Sequence, residues 1–209
     1  MKKTGNLQKK SLVILLLVVI AAVAVYFFIE KGSSNSEEPS TDLKVSIEET
    51  EEETLIYLGD GEAENEMIFL FDYSCPYCYE WMNEVFPIVY EKWIETGEMK
   101  FRTQSLVLLS ELSLQLSKVD QNIRDHYPKL YFDLFLANDD IHAIDDWLED
   151  IMDFDATLLE QDLDVDPLSV TRKYVRNFEV EYVPTVVING EKIEDSFSIE
   201  MLEQAIMEK

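Results

Sequence analysis

Apolar and polar positions follow three different patterns along this chain. Leu12 to Ile29 is an unbroken apolar run of 18 residues. As a helix it is about 27 Å long, close to the hydrocarbon thickness of a bilayer. Lys2, Lys3, Lys9 and Lys10 precede it. This predicts a cytoplasmic basic tail over residues 1–10, a transmembrane anchor over 11–29 and an extracytoplasmic remainder. A cleaved signal peptide is the alternative. Its apolar core is shorter and ends on small residues, whereas this run ends Tyr26-Phe27-Phe28-Ile29. Residues 30–53 are rich in Ser, Glu and Thr, with almost no apolar content, and are expected to form an acidic flexible stalk.

Beyond residue 53 the pattern alternates between short apolar strands and helical spacings. Thr54 to Leu58 predicts a first strand closed by Gly59-Asp60-Gly61, and Ile68 to Phe71 a short strand buried on both faces. Met82, Val85, Phe86, Val89 and Trp93 then recur at helical spacing, with a kink expected at Pro87 and an end at Thr96-Gly97. Met99 to Thr103 returns as a strand, completing a β-α-β unit with parallel neighbours. Residues 106–178 are helical in pattern, broken at Pro128, Asp139-Asp140 and Pro167. One apolar face there carries Tyr131, Leu134 and Phe135, another Ile144, Trp147, Leu148 and Ile151. Thr185 to Ile188, the turn Asn189-Gly190, Glu191 to Ile193 and a closing helix from Ile199 to Met207 with Ser198 as N-cap form a β-β-α unit. The fold class is α/β, with a mixed central sheet and a helical insertion.

Charge narrows the partners. Beyond the tail there are 13 basic against 43 acidic residues, a net charge of −30. Such a field repels nucleic acid and anionic surfaces. Asp162, Asp164 and Asp166 have the spacing that opens a calcium loop. Pro167 and Lys173 stand where that loop needs Gly and Glu, so calcium is rejected.

The chain has two cysteines, Cys75 and Cys78, flanking Pro76 and Tyr77. Cys75 falls where a strand ends and a helix begins, beside unpaired N–H groups and the positive end of the helix dipole. That position favours the thiolate, the form that attacks disulfides. Pro76 suits the first helical position, and Cys78 lies one turn on, able to close a short disulfide. Half of a zinc site looks the same, but there is no third cysteine, and His126 and His142 lie in the helical stretch, where surface or helix-end roles are expected of them. Two thiolates could also carry a soft metal ion. With both cysteines in one short loop, none remains for structural cross-links, as expected of a protein that exchanges disulfides.

Tyr57-Leu58-Gly59-Asp60, Asp72-Tyr73-Ser74-Cys75-Pro76-Tyr77-Cys78, and Val183-Pro184-Thr185 leading to Asn189-Gly190 together resemble the DsbA-like branch of the thioredoxin superfamily. The similarity covers roughly residues 54–209. It implies a thioredoxin-like domain with a helical insertion at about 106–178, and a cis Pro184 packed against the redox pair. It also implies catalysis by Cys75 and Cys78 with support from Pro76, Tyr77 and Pro184. Substrate would lie as an added strand along Val183 and Pro184. The implied activity is disulfide formation in exported proteins, with a membrane or soluble redox partner for recycling and no cofactor beyond the Cys75–Cys78 disulfide. A reductase or isomerase using the same pair is the alternative. Two positions depart from the family. Its buried acidic residue, six positions before the first cysteine, is Phe69 here, and Tyr77 cannot stabilise a thiolate as a protonated imidazole can.

Overall fold

The computed structural model describes residues 43–50, 54–160, 163 and 165–207. The basic tail, the anchor, most of the stalk and the pair Asp162 and Asp164 lie outside them. Among the described residues no helix is long and apolar enough to cross a membrane.

Six strands form one mixed sheet: β1 (Val45–Glu49), β2 (Thr54–Gly59), β3 (Asn65–Phe71), β4 (Met99–Ser105), β5 (Thr185–Ile188) and β6 (Glu191–Lys192). Their spatial order is β1-β2-β4-β3-β5-β6, with β3 and β4 parallel and every other pair antiparallel. Strand β3 lies inside the sheet and alternates between two apolar cores. Met67, Phe69 and Phe71 point to one, with Trp81, Val89 and Phe101. Ile68 and Leu70 point to the other, with Leu106, Tyr174 and Val187. The run is apolar without a break because both of its faces are covered.

Strand β1 corrects the stalk assignment, and Thr54 does not begin the first strand. Val45 and Ile47 alternate with Ser46 and Glu48, and the segment pairs with β2 from Val45↔Leu58 to Glu49↔Thr54. Its period of two is hidden by the acidic residues around it. Where β2 ends, Gly59 has φ 102°, and a Cβ there would come within 2.9 Å of both the Ile94 side chain and the Met99 carbonyl. Glycine alone fits here, where the end of β2 pairs with β4 at Gly59↔Lys100.

Helix α1 (Pro76–Glu84) breaks at Val85 into the one-turn α2 (Phe86–Val89) and a π-helical turn, Tyr90–Ile94. Pro87 sits in the first turn of α2, so the expected kink is a full interruption. Gly97, at φ 79°, closes the segment. The helical block comprises α3 (Glu111–His126), α4 (Tyr131–Leu136), α5 (Ile144–Asp155) and α6 (Pro167–Phe178), with breaks where the sequence places them. Helices α3, α4 and α5 bury Leu116, Tyr131, Phe132 and Trp147 in the core that holds Phe69. Helix α6 sends Tyr174 to the opposite face, so the block straddles the sheet rather than lying on one side. Hairpin β5–β6 turns on Asn189 (φ 51°) and Gly190 (φ 87°), the two positive values that a two-residue turn requires. Helix α7 (Ile199–Met207) closes the chain, with Ser198 Oγ accepting the Met201 N–H at 3.3 Å.

A buried polar network fastens the helical block to the sheet. Asp120 and Arg124 of α3, an i, i+4 pair 1% and 8% exposed at their side chains, meet at 2.9 Å. Asp120 accepts the hydroxyls of Tyr73, Ser105 and Tyr131, and Arg124 donates to the Thr103 carbonyl. Each charge is satisfied only while all three segments stay docked. Arg124→Met strands the Asp120 carboxylate and is expected to cost about 3–5 kcal/mol, measured as a lower denaturant midpoint at unchanged slope.

Candidate active site

Strand β3 delivers the chain to a turn built on Asp72. This residue is fully buried. One carboxylate oxygen accepts the Ser74 N–H at 2.8 Å and the Ser113 hydroxyl at 2.6 Å. The other accepts the N–H groups of Leu108 at 2.8 Å and Leu109 at 3.0 Å. The Asp72 carbonyl accepts the Cys75 N–H at 2.9 Å. The turn is thereby held from within and from the loop leading into α3, where Ser74 Oγ and Ser110 Oγ also meet at 2.7 Å.

Cys75 is the N-cap of α1, extended at φ −97° and ψ 108°, with no side-chain cap of its own and Pro76 in the first turn. Its thiol lies below the ordinary range. The largest cause is the hydrogen bond it receives from Cys78; the N–H groups of Cys78 and Tyr77 add to this, and burial opposes it. Cys78 behaves oppositely: burial pushes its thiol well above the ordinary range, and its bond to Cys75 and the charge there push it further. Both cysteines are free thiols, 3% and 2% exposed. The pair therefore holds one readily lost proton and one firmly held proton.

The Val183–Pro184 peptide is cis. The Val183 carbonyl accepts the Cys75 thiol proton at 3.4 Å. Two bonds hold this loop to α1: Trp81 Nε1 donates to the Ser196 carbonyl at 2.8 Å, and Ser196 Oγ donates to the Pro184 carbonyl at 3.2 Å. Tyr77, 63% exposed, faces the loop across a groove of about 310 Å³ that Tyr182 and Phe197 also line. Cys75, Cys78, Tyr77, Val183 and Pro184, far apart in sequence as two groups, thus meet at one place. His126 and His142 are exposed on the helical block. Phe69 stacks on Trp81 with centroids 4.3 Å apart, so aromatic packing fills the position six residues before Cys75.

The sequence pattern of the thioredoxin family matches residues 51–208. The chain belongs to the thioredoxin family. Its fold recurs in solved structures at low identity. BdbD from Bacillus subtilis in its oxidised form is 13% identical with TM-score 0.55, over 73% of this chain and 90% of that one. The thiol–disulfide exchange protein alpha-DsbA2 from Wolbachia pipientis is 20% identical with TM-score 0.51, over 73% and 85%. A thioredoxin-like oxidoreductase from Silicibacter pomeroyi is 17% identical with TM-score 0.57, over 72% and 88%. No curated protein matches the sequence.

Asp72, Ser113 and the Leu108-Leu109 backbone, which shape this thioredoxin-family site, went unassigned from sequence. The available signal was an acidic residue directly after a strand buried on both faces, where a charge needs partners.

The sign of each thiol shift gives a pH test. Reduced-state stability from Cys75 is present above the ordinary thiol pKa and is lost as pH falls through its lowered value. That from Cys78 is present below the ordinary pKa and is lost as pH rises through its raised value. Cys78→Ala removes the largest cause of the Cys75 shift. The midpoint of Cys75 thiolate absorbance is therefore expected to move up in pH, and less so in Cys78→Ser, which keeps a hydroxyl donor.

Proposed function

We propose that this thiol–disulfide oxidoreductase works through Cys75 and Cys78 and forms disulfides in exported proteins, held at the membrane by the apolar run over residues 11–29. The placement of Cys75 at the N-cap of α1, one turn from Cys78 and 3.4 Å from the Val183 carbonyl beside the cis Pro184, is the observation that carries this reading. A substrate thiolate attacks the Cys75 sulfur of the oxidised pair. A mixed disulfide forms and Cys78 leaves with the electron pair. A second substrate thiol, having lost its proton, then attacks the substrate's own sulfur in that mixed disulfide. The substrate gains a disulfide and Cys75 departs as the stabilised thiolate, so two electrons have moved to the enzyme; Cys78 takes up one proton and the other substrate proton goes to solvent. A membrane or soluble redox partner removes the electrons.

The substrate segment is expected to lie along Val183 and Pro184 as an added strand. Its sulfur takes the place of the Val183 carbonyl as the neighbour of Cys75. With β6 already paired to β5, recognition rests on backbone and shape, and the acidic surface excludes nucleic acid as a partner. Tyr77 favours a second direction of use. Without a cation in that position the reduced pair is less favoured than in a strongly oxidising relative, which suits a reductase or isomerase.

Cys75→Ser is expected to abolish exchange, and Cys78→Ser to accumulate mixed disulfides with clients, seen as adducts that a reductant releases. Full activity in the first variant, with no adducts in the second, would refute these roles. Equilibration with glutathione fixes the direction: a potential well below about −250 mV selects the reductase.

A further inference from the structure

When the enzyme is reoxidised, or when Cys78 resolves a mixed disulfide, Cys78 must lose a proton that its surroundings hold firmly. The surrounding groups narrow the route for that proton. Phe69 is apolar and stacked. Asp72 is the acid whose charge acts on Cys78, but four donors already occupy its two oxygens, which is the full accepting capacity of a carboxylate. It holds the turn and has no lone pair left for the Cys78 proton.

On the other side of Cys78 lies a small cavity of about 20 Å³, lined by Phe71, Tyr73, Cys78, Tyr79, Phe135 and Asn138 among others. A single water needs about 10–15 Å³ of such space and two or more polar partners. Asn138 supplies one: its Oδ1 is buried and accepts no hydrogen bond from any described residue. Its Nδ2 donates to Tyr79 Oη at 3.0 Å. That bond uses a tyrosine lone pair and leaves the tyrosine hydrogen to donate. The loop carrying Asn138 is pinned to α1 by Asn83, whose Nδ2 donates to the Asp139 carbonyl at 3.1 Å. Asn138, Tyr79 and Cys78, which carry an amide acceptor, a hydroxyl donor and a thiol, therefore line a space of one-water size.

We propose that this cavity binds a water that takes the proton of Cys78 and passes it outward, with Asn138 as the residue that positions it. The inference rests on the Cys75–Cys78 exchange proposed above. Cys78 S–H gives its proton to the water as its sulfur attacks the mixed-disulfide sulfur of Cys75. The Cys75–Cys78 bond forms, the bond from Cys75 to the departing group breaks, and that group leaves with the electron pair.

The reduced full chain is mixed with an aromatic disulfide such as dithiobis-nitrobenzoate, which releases a coloured thiolate twice. The first release reports attack by Cys75, the second closure by Cys78. Asn138→Leu is expected to slow the second release at least about tenfold, part of the roughly 10²–10⁴-fold that positioned proton transfer contributes, and to leave the first unchanged. Asn138→Asp keeps an oxygen at that place and restores closure. In the wild-type protein the second release shows a solvent deuterium effect and the first does not. Closure at the wild-type rate in Asn138→Leu, equal slowing of both releases, or no isotope effect on wild-type closure overturns the inference and leaves the exchange function standing. No first release from the wild-type protein removes the function and this inference with it.

Discussion

A carboxylate taken out of water must be met by donors, and the site is arranged around that requirement at Asp72. Its four donors come from the turn itself, and from the loop before α3 and the first turn of that helix, 36 to 41 residues further on. The strand-to-helix turn that carries Cys75 thus takes its shape from the helical block as much as from the sheet. The Asp120–Arg124 network performs a parallel task deeper in the fold, reaching Tyr73 in the same turn. Two buried charges therefore brace one short loop from below and from the side. A loop so braced can present its sulfur at a fixed angle to the helix N–H groups that lower its proton affinity.

The proposed chemistry depends on inequality between two like atoms. Cys75 sits where backbone donors converge, Cys78 one turn inside the helix with less water and a neighbouring sulfur. A leaving group has to be stable as an anion, and the resolving group has to stay protonated until needed. One helical turn separates these demands.

Much of this was legible beforehand because it is local. The apolar run at Ile68, the proline at the first helical position, the Asn189-Gly190 turn and the breaks at Pro128 and Pro167 each carry their meaning within a few residues. The family resemblance added the expectation of a cis bond at Pro184, and the structure has it. What stayed hidden is long-range. Nothing near Asp72 announces Leu108, Leu109 or Ser113, and nothing near Asn138 announces Cys78. Strand β1 was concealed by composition, since three of the residues from Ser46 to Glu49 are polar and the side chains of Val45 and Ile47 do not outweigh them. The shift of α6 to the far face of the sheet leaves no trace in periodicity, because an amphipathic helix looks the same on either side.

The outermost strands have a further consequence. A sheet border with open N–H and C=O groups is a template on which unfolded chains can aggregate, and a protein in the role proposed above would meet such chains constantly. Here one border, β1, bears Glu48 and Glu49, and the other, β6, is two residues long and carries Glu191 and Lys192. Short, charged margins turn strand addition away from both rims of the sheet, and so keep the protein out of edge-to-edge aggregates.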